Sequence, residues 1–323
     1  MRTRFRIEVI GSLGRIEEDA EWLCLNDQVH ELKIGGSEFM TQKCQKLFVC
    51  HLLALLLMSG LFISTECVAQ KVLKLGGTGA ALGAMSKIAD AFHKLHPDIE
   101  VKILPSLGSG GGIKAVAAGA LQVAFSSRQL TNEERVAGLS ELEYARTPFV
   151  FVTRDSVGVA GVTSEGVVQM FNGAIPNWPN GRRIRPIIRP DEETDTRNAK
   201  AISAGLARTL DSLQKVPGIV VALTDQDCTE AIGAVSGTLA FTCLSQVLTW
   251  ERKYEVLSFN GIVPSVSNLS NSTYPFYRSF YIVRKADADK SAGLFVDFIR
   301  SPQARKILEE TGNQPLAKTL AEN

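Results

Sequence analysis

The sequence predicts an α/β protein of two lobes, with mixed, mostly parallel sheets flanked by helices and two strands crossing between the lobes. Three observations predict it. A strand, glycine-rich loop and helix occur twice in succession, over residues 72–95 and 101–121. Strand and helix patterns then keep alternating to the C-terminus, the mark of parallel pairing through crossover helices. Two long extended apolar segments, 148–153 and 278–284, have the length and spacing of lobe crossovers.

The chain of 323 residues opens on a segment of a different kind. From Leu47 to Thr65 no residue is charged, Lys43 and Lys46 precede the apolar block and Glu66 follows it, which is the pattern of a secretory signal peptide with its basic flank. Cys67-Val68-Ala69 before Gln70 offers small residues at the positions a signal peptidase reads, so cleavage is expected after Ala69, with residues 40–69 as the signal peptide. Residues 1–39, ahead of Met40, read as an extension from a start codon assigned too early. Residues 1–69 carry 7 basic and 9 acidic side chains, so the remaining 254 residues carry 28 against 25, a mildly cationic exported protein.

In the exported part, Val72–Leu75 reads as a strand. Met85, Ile88, Ala89, Phe92 and Leu95 follow at helical spacing up to Pro97. The second unit has a strand over 101–104, the loop Gly108–Gly112 and a small-residue helix over 113–121. Val123–Ser127 is the next strand, Thr131 with Glu134 makes a capping box, and 148–153 is a fully buried strand. The second block has a helix over 164–171 closed by Gly173, a strand at 184–189 and a long helix over about 196–213. A strand at 219–223, a helix at 226–234 and strands at 238–244 and 255–259 follow. Asn260–Pro275 is irregular. An apolar strand at 280–283 precedes two helices separated by Ser301-Pro302, with Gly312 as the stop. Lobe 1 is therefore discontinuous, 70–153 with 278–323, and lobe 2 is 154–277.

Composition excludes several functions. Lys plus Arg number 35 against 34 Asp plus Glu, with no basic run, so no nucleic-acid binding is expected. None of the six cysteines forms a CxxC pair or stands near histidines at zinc spacing, so no metal is expected. Cys228 and Cys243, the two in the exported part, are a possible disulfide pair in an oxidising compartment, the alternative being two buried thiols. Gly77-Thr78-Gly79 with Gly83 approaches a dinucleotide fingerprint, but the second strand runs into Pro105-Ser106 with no carboxylate to hold a ribose, and no cofactor is expected. No paired-carboxylate or nucleophile motif appears, so the protein is not read as an enzyme. Asp225, Asp227 and Glu230 read as a capped, solvated helix start.

A glycine loop that opens a helix presents free backbone N–H groups and the positive end of the helix dipole, and so binds anions. Two such loops, Gly76–Ala80 and Gly108–Gly112, leave predicted strands at the same sheet edge, where Thr78 and Ser109 add hydroxyls beside Gly79, Gly110 and Gly111. Ser127 and Arg128 end the next strand. In the second lobe Arg189 ends a strand and Thr194-Asp195-Thr196 opens a helix. Arginine suits bidentate contact with an oxyanion.

From Gly76 through Leu130, and above all in Ser106-Leu107-Gly108-Ser109-Gly110-Gly111-Gly112-Ile113-Lys114, the chain resembles the periplasmic phosphate-binding proteins of ABC phosphate importers, the PstS-like family. Arg189-Pro190-Asp191, the run Val235–Phe241 and the strand at 279–283 fall in that family's order. The resemblance implies a type II periplasmic-binding-protein fold closing on a tetrahedral oxyanion by hinge motion. It also implies a monomer in the periplasm, delivering phosphate or a similar small anion to an inner-membrane ABC permease. A sensor presenting its closed form to a membrane receptor is the alternative. The resemblance puts the ligand hydroxyls at Thr78 and Ser109 and the second-lobe arginine at Arg189. The chain departs from the family at Ser127, where an aspartate is expected, and at Glu193-Thr194-Asp195, where Ser-Gly-Thr is expected. Losing an acceptor weakens discrimination in favour of a protonated oxyanion.

Overall fold

A computed structural model describes residues 71–250 and 254–316. The N-terminal extension, the signal peptide and its cleavage site lie outside the described residues. Among those described, no helix is long and apolar enough to cross a membrane.

The first strand, β1 (Lys71–Gly77), lies between β2 (Ile99–Ile103) and β3 (Val123–Ser126), parallel to both. Helix α1 (Gly79–Leu95) packs on this sheet through Ala80, Ala84, Met85, Ile88 and Phe92, the face its periodicity predicts except for Leu95, which is exposed at the helix end. The second glycine loop opens α2 (Gly108–Ala117). Two glycines let the loops come together. Gly77 has φ +128°, and a Cβ there would lie 2.1 Å from the Phe125 carbonyl oxygen. A Cβ on Gly112 would meet the Gly77 Cα at 2.7 Å, so α2 begins directly against the end of β1.

The strand that organises the molecule is β4 (Leu139–Thr153), 15 residues long. Its first part pairs antiparallel with β10 (Tyr277–Lys285), out to Pro148 opposite Tyr277, and with β11 (Gln314–Pro315). From Phe149 onward it pairs instead with β8 (Thr238–Cys243) and β9 (Glu255–Phe259). Buried side chains collect on the two sides of this switch. Leu73, Leu75, Phe92, Phe125, Phe280 and Phe295 belong to one core, and Phe149, Phe151, Phe171, Trp178, Phe241 and Phe259 to the other. Along β4, Phe149 and Phe151 face that second core while Val150 and Val152 face a third cluster containing Cys228 and Ala240. Both faces are covered, which is why this run carries no polar alternation.

The fold is thus the two-lobed α/β architecture expected, with a mixed sheet. Antiparallel pairs are as numerous as parallel ones among the described residues, because the crossover strands β4 and β10 run against most of their neighbours. In the second lobe β5 (Gly161–Val162) pairs with β9, and β6 (Arg185–Ile188) with β7 (Val220–Val221) and β8, all parallel. The capping box at Thr131 forms as predicted and opens α3 (Asn132–Val136). Helix α4 (Ser164–Phe171) also falls where expected, followed by Gly173 at φ +80°.

Asn260–Pro275 is not irregular throughout, since Val266–Ser270 forms a short helix with the Ser265 hydroxyl accepting from the Asn268 N–H at 3.1 Å, and two further expectations need correction. The long helix over 196–213 is two, α5 (Thr194–Ile202) and α6 (Ala204–Leu213), because Ser203 adopts extended backbone and its Oγ accepts from the Leu206 N–H at 3.1 Å. The possible Cys228–Cys243 disulfide does not form. Both cysteines are buried free thiols, Cys228 in the third cluster and Cys243 in the first-lobe core. Burial pushes each thiol pKa up to about 12.

Gly77→Ala is expected to lower stability by more than about 1 kcal/mol, since its backbone conformation and its contact with Phe125 both exclude a side chain. Urea unfolding read by circular dichroism checks this, and a substitution without effect would remove the close loop packing argued here.

Candidate functional site

The two loops, the end of β3, the start of β10 and two second-lobe helices converge on a buried cluster of charge. Thr78 is the N-cap of α1, yet its hydroxyl caps nothing in its own helix. Thr78 Oγ1 instead donates to Asp225 Oδ2 at 3.1 Å and accepts from Ser127 Oγ at 3.2 Å and from Arg278 Nη2 at 2.8 Å. Ser127 follows β3. Its Oγ accepts from Arg278 Nε at 2.8 Å, and its backbone N–H donates to Ser109 Oγ at 2.9 Å, which ties the second glycine loop to the same point.

Arg278 is the second residue of β10, at the lobe crossover, and is 2 % exposed. Its Nη1 donates to Asp195 Oδ2 at 2.9 Å and to Asp225 Oδ1 at 3.1 Å. Arg189, just past the end of β6 and 1 % exposed, donates from Nη1 to Asp225 Oδ1 at 2.8 Å and from Nη2 to Glu193 Oε2 at 2.9 Å. Thr196 supports Arg189 by donating to its backbone carbonyl at 3.0 Å. Asp225 opens α7 (Asp225–Ala234), and its Oδ2 also accepts from the Ala80 backbone N–H at 3.0 Å, in the first turn of α1.

These contacts shift the carboxyl groups of the cluster in different directions. Burial would raise the Asp225 pKa, but the Arg278 and Arg189 guanidiniums outweigh it and hold the carboxyl well below the ordinary carboxylate range. Asp195 is shifted the other way, up, chiefly by burial and then by the charge of Asp225, against the pull of Arg278 and Arg189. Glu193 is also shifted up by burial. The two guanidiniums stay charged. Among the described residues, Arg189 Nε and Asp195 Oδ1 are buried without a hydrogen-bond partner, one donor and one acceptor at the centre of the cluster.

Of the residues singled out from sequence, Thr78, Ser109, Ser127, Arg189, Asp195 and Thr196 are brought together. Gly79 packs against Asp225 and Gln226, where a Cβ would lie within 2.9 Å of both side chains. Gly110 and Gly111 lie in the first turn of α2. Arg128 does not join the cluster: both its terminal nitrogens donate to Glu134, each at 2.8 Å. Thr194 also turns away, its hydroxyl accepting from Arg197 Nη2 at 3.1 Å. Asp225 is the main correction. The capping box forms between Thr224 and Asp227, but Asp225 is buried against four donors rather than solvated. Arg278 is the residue that sequence reasoning missed. An arginine inside an apolar crossover strand was the available signal, since a guanidinium is fully buried only where carboxylates or hydroxyls surround it.

Beside the cluster runs a groove of about 960 Å³ bordered by Gly79, Gly83 and Leu82 of α1, Leu104 and Pro105, and Gln226, Glu230 and Trp250 of the second lobe. Gly79 and Gly83 give α1 a bare stripe on which the second lobe rests; a Cβ on Gly83 would meet Thr249 Oγ1 at 2.3 Å.

Two lobes sharing crossover strands, with helix N-termini, hydroxyls and two arginines facing one another across the junction, define a solute-binding architecture of the hinge type. The chain belongs to the PBP superfamily, whose domain model matches residues 64–303. It is 24% identical over 257 residues to the phosphate-binding protein PstS of Borreliella burgdorferi, covering 75% of this chain and 89% of that one. It is likewise 24% identical over 254 residues to PstS of Bacillus subtilis, covering 76% and 80%. A substrate-binding protein of Clostridium perfringens, solved with bound phosphate, superposes with a TM-score of 0.65 at 21% identity, over 76% of this chain and 100% of that one.

Removing Arg278 leaves Asp195 and Asp225 buried with fewer counter-charges, so Arg278→Ala is expected to cost about 3–5 kcal/mol in denaturant unfolding. For pH, the depressed Asp225 group contributes stability above its unfolded pKa of about 3.9, and that contribution falls away as pH drops toward its folded value. The stability difference between the native chain and Asp225→Asn is therefore expected to be constant near neutrality and to shrink below about pH 4. A difference that grows on acidification would contradict the assignment.

Proposed function

We propose that this protein is a periplasmic solute-binding protein of an ABC importer, binding phosphate or a related oxyanion between its lobes and delivering it to an inner-membrane permease. The observation that carries the reading is the convergence of Arg189, Arg278, the Thr78 and Ser127 hydroxyls and the α1 N-terminus on one buried point between the lobes. Backbone N–H groups at a helix start and paired guanidiniums are the donors that oxyanions need. The names of the PstS relatives point to the same ligand.

In this reading lobe 1 comprises 70–153 with 278–323 and lobe 2 comprises 154–277; the change of partner along β4 at Phe149 and the start of β10 at Tyr277 support crossovers near these bounds, with 149–153 already packed in the second core. The protein acts as an exported monomer, and its work is binding and release without a chemical step. Arg189 and Ser109, with Thr78, Ser127 and Arg278, form the ligand shell. Arg128 and Thr194 fall outside it, held by Glu134 and Arg197.

The test is calorimetric titration of the refolded chain with phosphate, sulfate and small carboxylates, alongside thermal unfolding. Phosphate at 100 times its Kd is expected to stabilise the protein by about 2.7 kcal/mol. The Ser109→Ala, Arg189→Ala double variant is expected to lose that response. A folded chain that responds to none of these anions would overturn the reading.

A further inference from the structure

Asp225 belongs to the second lobe, yet three of the four donors on its carboxylate, Thr78, Ala80 and Arg278, come from the first. Oδ2 accepts from Thr78 Oγ1 and from the Ala80 N–H, and Oδ1 accepts from Arg189 and Arg278. Four donors saturate two carboxylate oxygens, and they include the hydroxyl, helix N-terminus and guanidiniums on which the proposed anion site rests. The 17-residue helix α1 has neither a cap bond from Thr78 nor an acidic residue in its first turn. The negative charge at its positive end comes from the other lobe. We propose that the Asp225 carboxylate is a tethered occupant of the first lobe's anion cradle, which draws the lobes together without ligand and which an incoming oxyanion must displace.

Displacement rather than addition follows from geometry and charge. An oxyanion at the same donors would stand within hydrogen-bond distance of a carboxylate, and like charges that close repel strongly in a poorly screened interior. Asp195 and Glu193 already place two further carboxyl groups at Arg278 and Arg189. Withdrawing Asp225 from the first lobe frees an Arg278 contact, the Thr78 hydroxyl and the Ala80 N–H together, donors suited to a tetrahedral anion, while Arg189 stays on the same lobe as Asp225. The adjoining contact is built for closeness, since Gly79 leaves no side chain between α1 and the Asp225–Gln226 turn. Asparagine cannot replace the tie, because its amide group would set a donor against donors.

The displacement step rests on the anion-binding reading, whereas the tie between lobes does not. Small-angle scattering on the full chain, freed of ligand, separates the two. The native protein is expected to have the same radius of gyration with and without inorganic phosphate, whereas Asp225→Asn without phosphate is expected to be more expanded and to contract on adding it. Phosphate is expected to bind Asp225→Asn about tenfold more tightly than the native chain in calorimetry. A native chain that is expanded without phosphate and contracts with it overturns the tie, with no need of the variant to fold. Weaker phosphate binding by a folded Asp225→Asn would make Asp225 a ligand contact and overturn displacement. Expansion of Asp225→Asn with no phosphate binding by either protein would keep the tie and reject the anion reading.

Discussion

Everything at the centre of this protein depends on one constraint: two arginines, one from each side of the lobe junction, are buried and must be neutralised there. A guanidinium cannot shed its proton, so Arg189 and Arg278 require carboxylates and hydroxyls around them. Asp195, Asp225 and Glu193 supply charge, and Thr78 and Ser127 supply acceptors. Such a network is weak evidence for stability in itself, because desolvating the ions offsets most of their attraction. Its value is positional. The partners come from several elements, so the cluster forms only when both glycine loops, the crossover strand and the two second-lobe helix starts are in place.

That requirement explains features which look incidental one at a time. Gly77 and Gly112 allow the loops to touch, Gly79 and Gly83 allow the second lobe to lie against α1, and β4 carries the backbone from one core to the other without interruption. Their common effect is to bring backbone N–H groups and side chains within hydrogen-bonding distance of one point. A hinge protein needs such a point to lie between its lobes, since only there does occupancy alter their separation.

The cluster also holds more negative charge than a simple anion receptor needs. Where the resembling family is expected to have a carboxylate, this chain has Ser127, and the carboxylates of the cluster are Glu193, Asp195 and Asp225 on the second lobe. The cluster thereby keeps acceptors near its guanidiniums while presenting hydroxyls from the first lobe. Asp195 and Asp225 shift in opposite directions although burial raises both, because Asp225 receives two guanidinium bonds and Asp195 only one.

The sequence by itself determined what local chemistry can specify. Periodicity placed α1 and most of its buried face, Thr131 with Glu134 placed a capping box, the apolar run at 148–153 placed a strand covered on both faces, and the glycine loops with Thr78, Ser109 and Arg189 marked the edge where the buried charge cluster forms. Tertiary structure alone decided the rest. Asp225 reads as solvated because a helix start with three acidic residues usually is, and only its docking on Thr78 and Ala80 of α1, some 150 positions earlier in the chain, buries it. Arg278 and Ser127 meet across a comparable separation, and Arg128 leaves the cluster because Glu134 is nearer. Hydrogen bonds and charge pairs between residues distant in sequence have no period and no spacing, so they become legible only once the fold has set the distances.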